Sequence, residues 1–176
     1  MTSRPPDTEY APFFARYVSL VPEADLLAVL EGQPAELARL SSIVPADREK
    51  FRYAEGKWTI RELVGHIVDA ERVFGYRAFC ISRGEQAPLP AFEENEYIRN
   101  SQYDRQPLRE LVSEFAALRE TNLAFLRRLE DKEWERLGTS NKNPASVRAL
   151  AFIMAGHVRH HFAVMRERYG VVPAPR

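Results

Sequence analysis

Apolar residues recur at three-four-seven spacing in four long stretches of this chain, and nowhere do they alternate with polar residues for long enough to build a sheet. That pattern predicts an all-α fold. The first stretch opens at Pro22 or Glu23 and carries Leu26, Leu30, Leu37, Leu40 and Val44; Gly32 and Pro34 interrupt it, so a kinked helix or two short ones is expected. In the second, Thr59 and Glu62 have capping-box spacing and Trp58 and Leu63 sit where a hydrophobic staple would pack, which predicts a helix from about Thr59 to Arg83, ended by Gly84. The third begins at Pro107 and reaches about Leu129 through Leu108, Leu111, Phe115, Leu118 and Leu126. The fourth takes Asn143 as N-cap with Pro144 behind it and runs to Tyr169, where Gly170 stops it. Residues 85–106 hold two prolines, two asparagines and no sustained period, long enough to cross an end of a bundle and to be functional. The expected architecture is an antiparallel four-helix bundle with a long crossover between the second and third helices. It occupies one domain over residues 10–170, between a loose N-terminal arm (1–9) and a tail (171–176) that Pro173 and Pro175 keep from being helical.

A chain of 176 residues buries roughly 70% of its unfolded surface, enough for a core without disulfides or a structural metal. Any metal would serve function. Lys and Arg total 25 against 25 Asp and Glu, so the broad positive field that nucleic acid or an anionic membrane would need is missing. The lone Cys80 forms no internal bridge, and the first ten residues lack the apolar core of a secretory signal, which points to a cytoplasmic protein. The longest apolar run, Ala149 to Gly156, falls far short of the roughly 20 residues that cross a bilayer.

The histidines carry the chemistry. With His157 at zero on a wheel of about 100° per residue, His161 falls near 40°, Leu150 near 20°, Ile153 near 320° and Val164 near 340°, whereas Arg148, Arg159 and Arg166 gather at about 180–200°. Both imidazoles point into the apolar face, and His160, near 300° by the same count, lies on the flank. On the second helix His66 shares the buried stripe with Leu63, Ala70, Val73, Phe74 and Ile81. One core-facing histidine is commonly a hydrogen-bonded packing residue. Three on two inward faces must each find partners in an apolar stripe, and an i, i+4 pair with a third from a neighbouring helix can hold one face of a metal ion's coordination sphere. Structural zinc sites are usually closed by four protein ligands; three histidines leave a position open for reaction.

The stretches GKWTIRELVGHIVDAERVFGYRAF (56–79) and VRALAFIMAGHVRHHFAVMRERYG (147–170) resemble the second-helix and fourth-helix motifs of the DinB/YfiT-like family of bacterial four-helix-bundle metalloproteins. The resemblance runs from about Tyr17 to Tyr169 and fills that family's three ligand positions with His66, His157 and His161. It implies a divalent metal, usually zinc or nickel, with water in the remaining positions, often in a homodimer. Some members are linked to low-molecular-weight thiol S-transfer onto electrophiles, others were proposed as hydrolases, and many have no known reaction. The expectation for this chain is a metal-dependent enzyme, a transferase that couples a small thiol to an electrophile, which the chemistry of its residues ranks first. The alternatives are a metal-dependent hydrolase and a non-catalytic metal-binding stress-response protein.

The residues narrow the chemistry further. Val158 follows His157, so the general base of HExxH peptidases is missing, and no Glu-x-x-His pair exists to build a di-iron carboxylate bundle. Thiol transfer is the least demanding reaction, because a thiolate can attack without a protein base. No catalytic residue is marked. Asp69 could orient an imidazole or accept a proton, or instead pair with Arg72 or Arg61. Arg77, on the His66 face, could bind an anionic substrate group or sit in a buried ion pair, and Asn122 could reach a water in the site or bridge to a neighbouring helix. Cys80 reads as packing.

Overall fold

The computed structural model describes residues 3–172; Pro173 and Pro175, on which the reading of the C-terminal tail rests, lie outside them. Chain order is α1 (Ala15–Val18), α2 (Leu26–Ser42), α3 (Ile60–Ser82), α4 (Glu94–Asn100), α5 (Leu108–Leu126), α6 (Asp131–Trp134), β1 (Leu137–Ser140), β2 (Asn143–Ser146) and α7 (Val147–Glu167). The four long helices α2, α3, α5 and α7 are the four periodic stretches, and they form a four-helix bundle.

Local chemistry sets their ends. Thr59 and Glu62 form the reciprocal capping box, the Thr59 hydroxyl accepting from the Glu62 N–H at 3.0 Å and the Glu62 carboxylate from the Thr59 N–H at 2.8 Å. Asp25 caps α2 by accepting from the Ala28 N–H. Pro34 lies inside α2, which nonetheless runs unbroken from Leu26 to Ser42 instead of as two short helices. Leu26, Leu30, Leu37 and Leu40, all buried, hold both sides of the proline against the core, which offsets the lost backbone hydrogen bond.

The fourth helix starts later than its Asn-Pro signal suggests. Asn143 and Pro144 belong to β2, which pairs antiparallel with β1, and the helix cap is Ser146, whose hydroxyl accepts from the Ala149 N–H at 3.0 Å. Asn141 and Lys142 both adopt positive φ, the geometry of a tight hairpin turn, and Pro144 has no N–H to miss in a two-stranded ribbon. Four-residue strands are too short for alternation to show against helical patterning.

Nor is the N-terminal segment a loose arm over its described part. Arg4 donates to the Val18 carbonyl at 3.1 Å, and the buried Glu9 carboxylate accepts from Ser146 at 2.6 Å and from Arg148 at 2.7 Å. Arg148, which the wheel turns away from the core, is therefore the anchor for Glu9, while Arg4 is tied to the end of α1.

Neighbouring helices pack in the ring α2, α5, α3, α7. Arg127 pairs with Glu31 and Arg119 reaches Gln33 across the α2–α5 contact, whereas Phe79 meets Phe125 and Asn122 meets Glu71 across α3–α5. Tyr169, just beyond α7, donates to the Trp58 carbonyl before α3, while His66 meets His157 farther along. Taken with Arg166 on Glu36 and Arg159 on Glu23, these contacts give the directions up, down, down, up for α2, α3, α5 and α7. The parallel neighbours α3 and α5 require a connection that returns along the bundle, and residues 83–107 supply it.

Two apolar clusters fill the interior. One gathers Leu26, Leu30, Phe74, Leu123 and residues 149–155; the other gathers Leu37, Leu63, Phe115, Val158 and Phe162. Between them lies a polar layer. Arg119, fully buried, makes a two-pronged pair with Glu71 at 2.8 and 2.7 Å and donates to the Leu30 carbonyl and to Gln33, whose own amide donates to the Ala155 carbonyl. With each guanidinium nitrogen of Arg119 partnered, the layer satisfies the requirement that buried charge be paired. No helix is long and apolar enough to cross a membrane among the described residues.

Candidate metal centre

His66 on α3 and His157 and His161 on α7 meet where these antiparallel helices cross the divide between the two clusters. His157 Nε2 lies 2.9 Å from His66 Nε2 and 3.1 Å from His161 Nε2, and one ligand atom from each of the three falls within 4.8 Å of the others. All three side chains are buried. Burial pulls the His66 imidazole down to about 4, and burial together with the neighbouring imidazoles holds His157 and His161 well below the usual histidine range. The rings are therefore neutral at pH 7.

Neutral imidazole carries one N–H and one lone pair, so three Nε2 atoms in this space cannot satisfy one another with hydrogens alone. A cation that accepts all three lone pairs resolves the conflict, and imidazole nitrogens suit a borderline divalent ion. The residues fit the group.

Packing, more than hydrogen bonding, orients the rings. Trp58 lies 4.7 Å from His66, and Phe92 stacks on the same imidazole at 6.1 Å with the planes 5° apart. Tyr17 and Phe74 meet His157 edge-on at 5.4 and 5.8 Å. The Nδ1 atoms of His66 and His161 have no partner among the described residues. Two glycines beside the histidines let tyrosines pack close: a Cβ at Gly65 would overlap the Tyr103 ring, and one at Gly156 would overlap the Tyr17 carbonyl.

The remaining residues singled out in the sequence fall at different distances from this centre. Asp69 accepts from the Tyr103 hydroxyl at 2.5 Å and lies 3.9 Å from Arg72, so it orients no imidazole. Asn122 bridges to α3, donating to Glu71 Oε1 at 2.8 Å, and belongs to the Arg119 layer. Arg77 donates to the Pro90 carbonyl at 2.7 Å and lines a cavity with His66 and His157; no carboxylate pairs with it among the described residues, contrary to the buried ion pair weighed above. His160 packs against Tyr17 at 5.5 Å and the His161 ring at 5.0 Å, on the flank where the wheel puts it.

Two recesses approach the histidines. The first, about 380 Å³, is lined by His66, His157, Arg77 and the rings of Phe14, Phe74 and Phe92. The second, about 340 Å³, is lined by His160, His161, Trp58 and Tyr169. Glu94 and Asn95, at the start of α4, belong to the walls of both. Desolvation at that wall, with the Glu93 charge beside it, raises the Glu94 carboxyl above its ordinary range. Sequence periodicity missed these two residues because 85–106 has no register to place them, and Glu93, which precedes α4, caps it with no side-chain bond. The crossover is held over the site by Leu89, which donates to the Thr139 carbonyl and accepts from the Asn141 N–H.

No curated protein matches the sequence. Among solved structures, the fold is similar to YfiT from Bacillus subtilis, with a TM-score of 0.74 and 19% identity over 96% of this chain and 94% of that one. YfiT is described as "a probable metal-dependent hydrolase with an unusual four-helix bundle topology". A DinB-like protein of the same organism, YjoA, matches with a TM-score of 0.57 and 20% identity over 86% of this chain and 96% of that one. The model of the DinB superfamily matches residues 23–165, a span that contains all three histidines, and the chain belongs to that superfamily.

Proposed function

We propose that the protein is a metal-dependent enzyme that joins a small thiol to an electrophile, with His66, His157 and His161 holding a divalent ion, zinc or nickel. The observation that carries this reading is the convergence of three neutral Nε2 atoms at a point flanked by two separate recesses. Two recesses suit two reactants. A bound divalent ion would supply a Lewis acid that makes a thiol or a water nucleophilic near neutral pH. The chain's own part is to keep three imidazoles unprotonated, to fix their rings between Trp58, Phe92, Tyr17 and Phe74, and to exclude water with the same aromatics. Asp69 is engaged by Tyr103, and among the described residues no carboxylate is hydrogen-bonded to an imidazole as a base; a thiol is the nucleophile that needs one least.

Hydrolysis is the second reading. It is supported by Glu94, whose raised carboxyl at the boundary of the two recesses suits a proton acceptor for water, and by the likeness to YfiT.

Elemental analysis of untagged protein, dialysed without chelator, tests the ion. Near-stoichiometric metal is expected in the wild type and in His160→Ala, and strong loss in His66→Ala, His157→Ala and His161→Ala. Equal retention by all four variants overturns the assignment. One-to-one consumption of thiol and electrophile then separates transfer from hydrolysis, which proceeds without thiol.

A further inference from the structure

Arg77 is only 5% exposed, yet among the described residues no carboxylate lies within ion-pair distance of its guanidinium. Its one hydrogen bond goes to the Pro90 carbonyl, on the crossover that closes the first recess. A guanidinium carries five N–H donors and stays charged in any protein setting, so a single carbonyl leaves most of its capacity unused. Other arginines in this chain show the contrast: the fully buried Arg119 is matched by Glu71 and Gln33, and the part-buried Arg148 by Glu9. Burial works against the Arg77 charge, and the Glu93 and Glu94 carboxylates that share the cavity wall do not reach it.

The guanidinium is also placed in line with the histidines. Side chains on a helix lean toward its N-terminus, and Arg77 Cζ accordingly lies 5.9 Å from the Phe74 ring, one turn back toward His66. The Phe74 ring in turn lies 5.8 Å from the His157 ring. Cation, apolar ring and imidazole thus follow one another along a single cavity of about 380 Å³.

We infer that Arg77 is the specificity residue for a carboxylate-bearing substrate, holding the carboxylate at one end of the cavity while an apolar body lies across Phe74 and the reacting end meets His66 and His157. A planar carboxylate matches the guanidinium fork with two parallel hydrogen bonds, and the aromatic walls accept a hydrocarbon or an arene between. The inference rests on the reading above only for what happens at the histidine end; Arg77 binds the anion with or without an ion there.

Calorimetric titration with 3-phenylpropionate and with its neutral isostere 3-phenylpropionamide at pH 7.5 tests it, on protein as purified and after chelator treatment. The acid is expected to bind at least about tenfold more tightly than the amide in both preparations, the discrimination one charge-assisted fork supplies. Arg77→Gln, which can still donate to Pro90, should reduce that preference to within about twofold, and Arg77→Lys should retain part of it. Unchanged metal content in both variants separates this outcome from a failure at the histidines. The inference is overturned if the wild type binds neither probe or binds both alike, or if Arg77→Gln keeps the preference. It is equally overturned if the preference disappears when the ion is removed, because the carboxylate would then be bound by the ion.

Discussion

Imidazoles that stay neutral in the folded chain make its stability depend on pH in a definite direction. His66 holds its proton only below about 4 when folded but near 6.5 when unfolded, so between those values the unfolded chain binds more protons and stability rises with pH. His157 and His161 are shifted the same way by burial and by one another. Metal-free protein is therefore expected to lose stability steadily as pH falls from 6.5 toward 4, with His66 alone contributing on the order of 3 kcal/mol over that window. Urea titrations at four pH values check this. His66→Phe, which cannot titrate, should flatten the dependence, and an unchanged slope would contradict it.

At the scale of elements, α1 and α7 touch with almost nothing between them. Gly156 sits where the Tyr17 carbonyl presses on α7, and the obstacle to a Cβ is backbone, which cannot rotate aside. Gly156→Ala is expected to cost about 1–3 kcal/mol and to displace Tyr17 from the edge of His157, despite alanine's better helix propensity. Thermal unfolding would show it; a stabilised variant would mean that α1 has room to move. The long helices and the inward aim of three histidines were legible from periodicity, because 3.6-residue spacing survives without knowing the neighbours. The Thr59 cap was legible because its partners are three residues apart. What periodicity could not show were pairings across the chain. Arg119 lies four residues after Phe115 on the same stripe, a charged residue in an apolar row, but its partner Glu71 is 48 residues away and carries no local mark. Glu9 with Arg148, and Arg77 without a carboxylate among the described residues, were hidden for the same reason.

Across the whole molecule, the histidines tie together positions 91 residues apart, and no contiguous fragment of one helix contains the set. An ion bound only by the folded chain stabilises it by mass action, about 4 kcal/mol when free metal exceeds the dissociation constant a thousandfold. Chelation is expected to lower the melting temperature of the wild type and leave that of His157→Ala unchanged; an equal drop in both would place the ion elsewhere. The crossover joins this centre to the topology. Its length is dictated by the distance between the end of α3 and the start of the parallel α5, and it is fastened at both ends, by Leu89 and Pro90 to the hairpin and to Arg77 and by Tyr103 and Asp104 to Asp69 and Thr59. Glu93 and Asn95, between those fastenings, therefore form a replaceable facing on a permanent frame. Through them the entrance could be refitted for a different reactant while the helices that carry the histidines kept their positions.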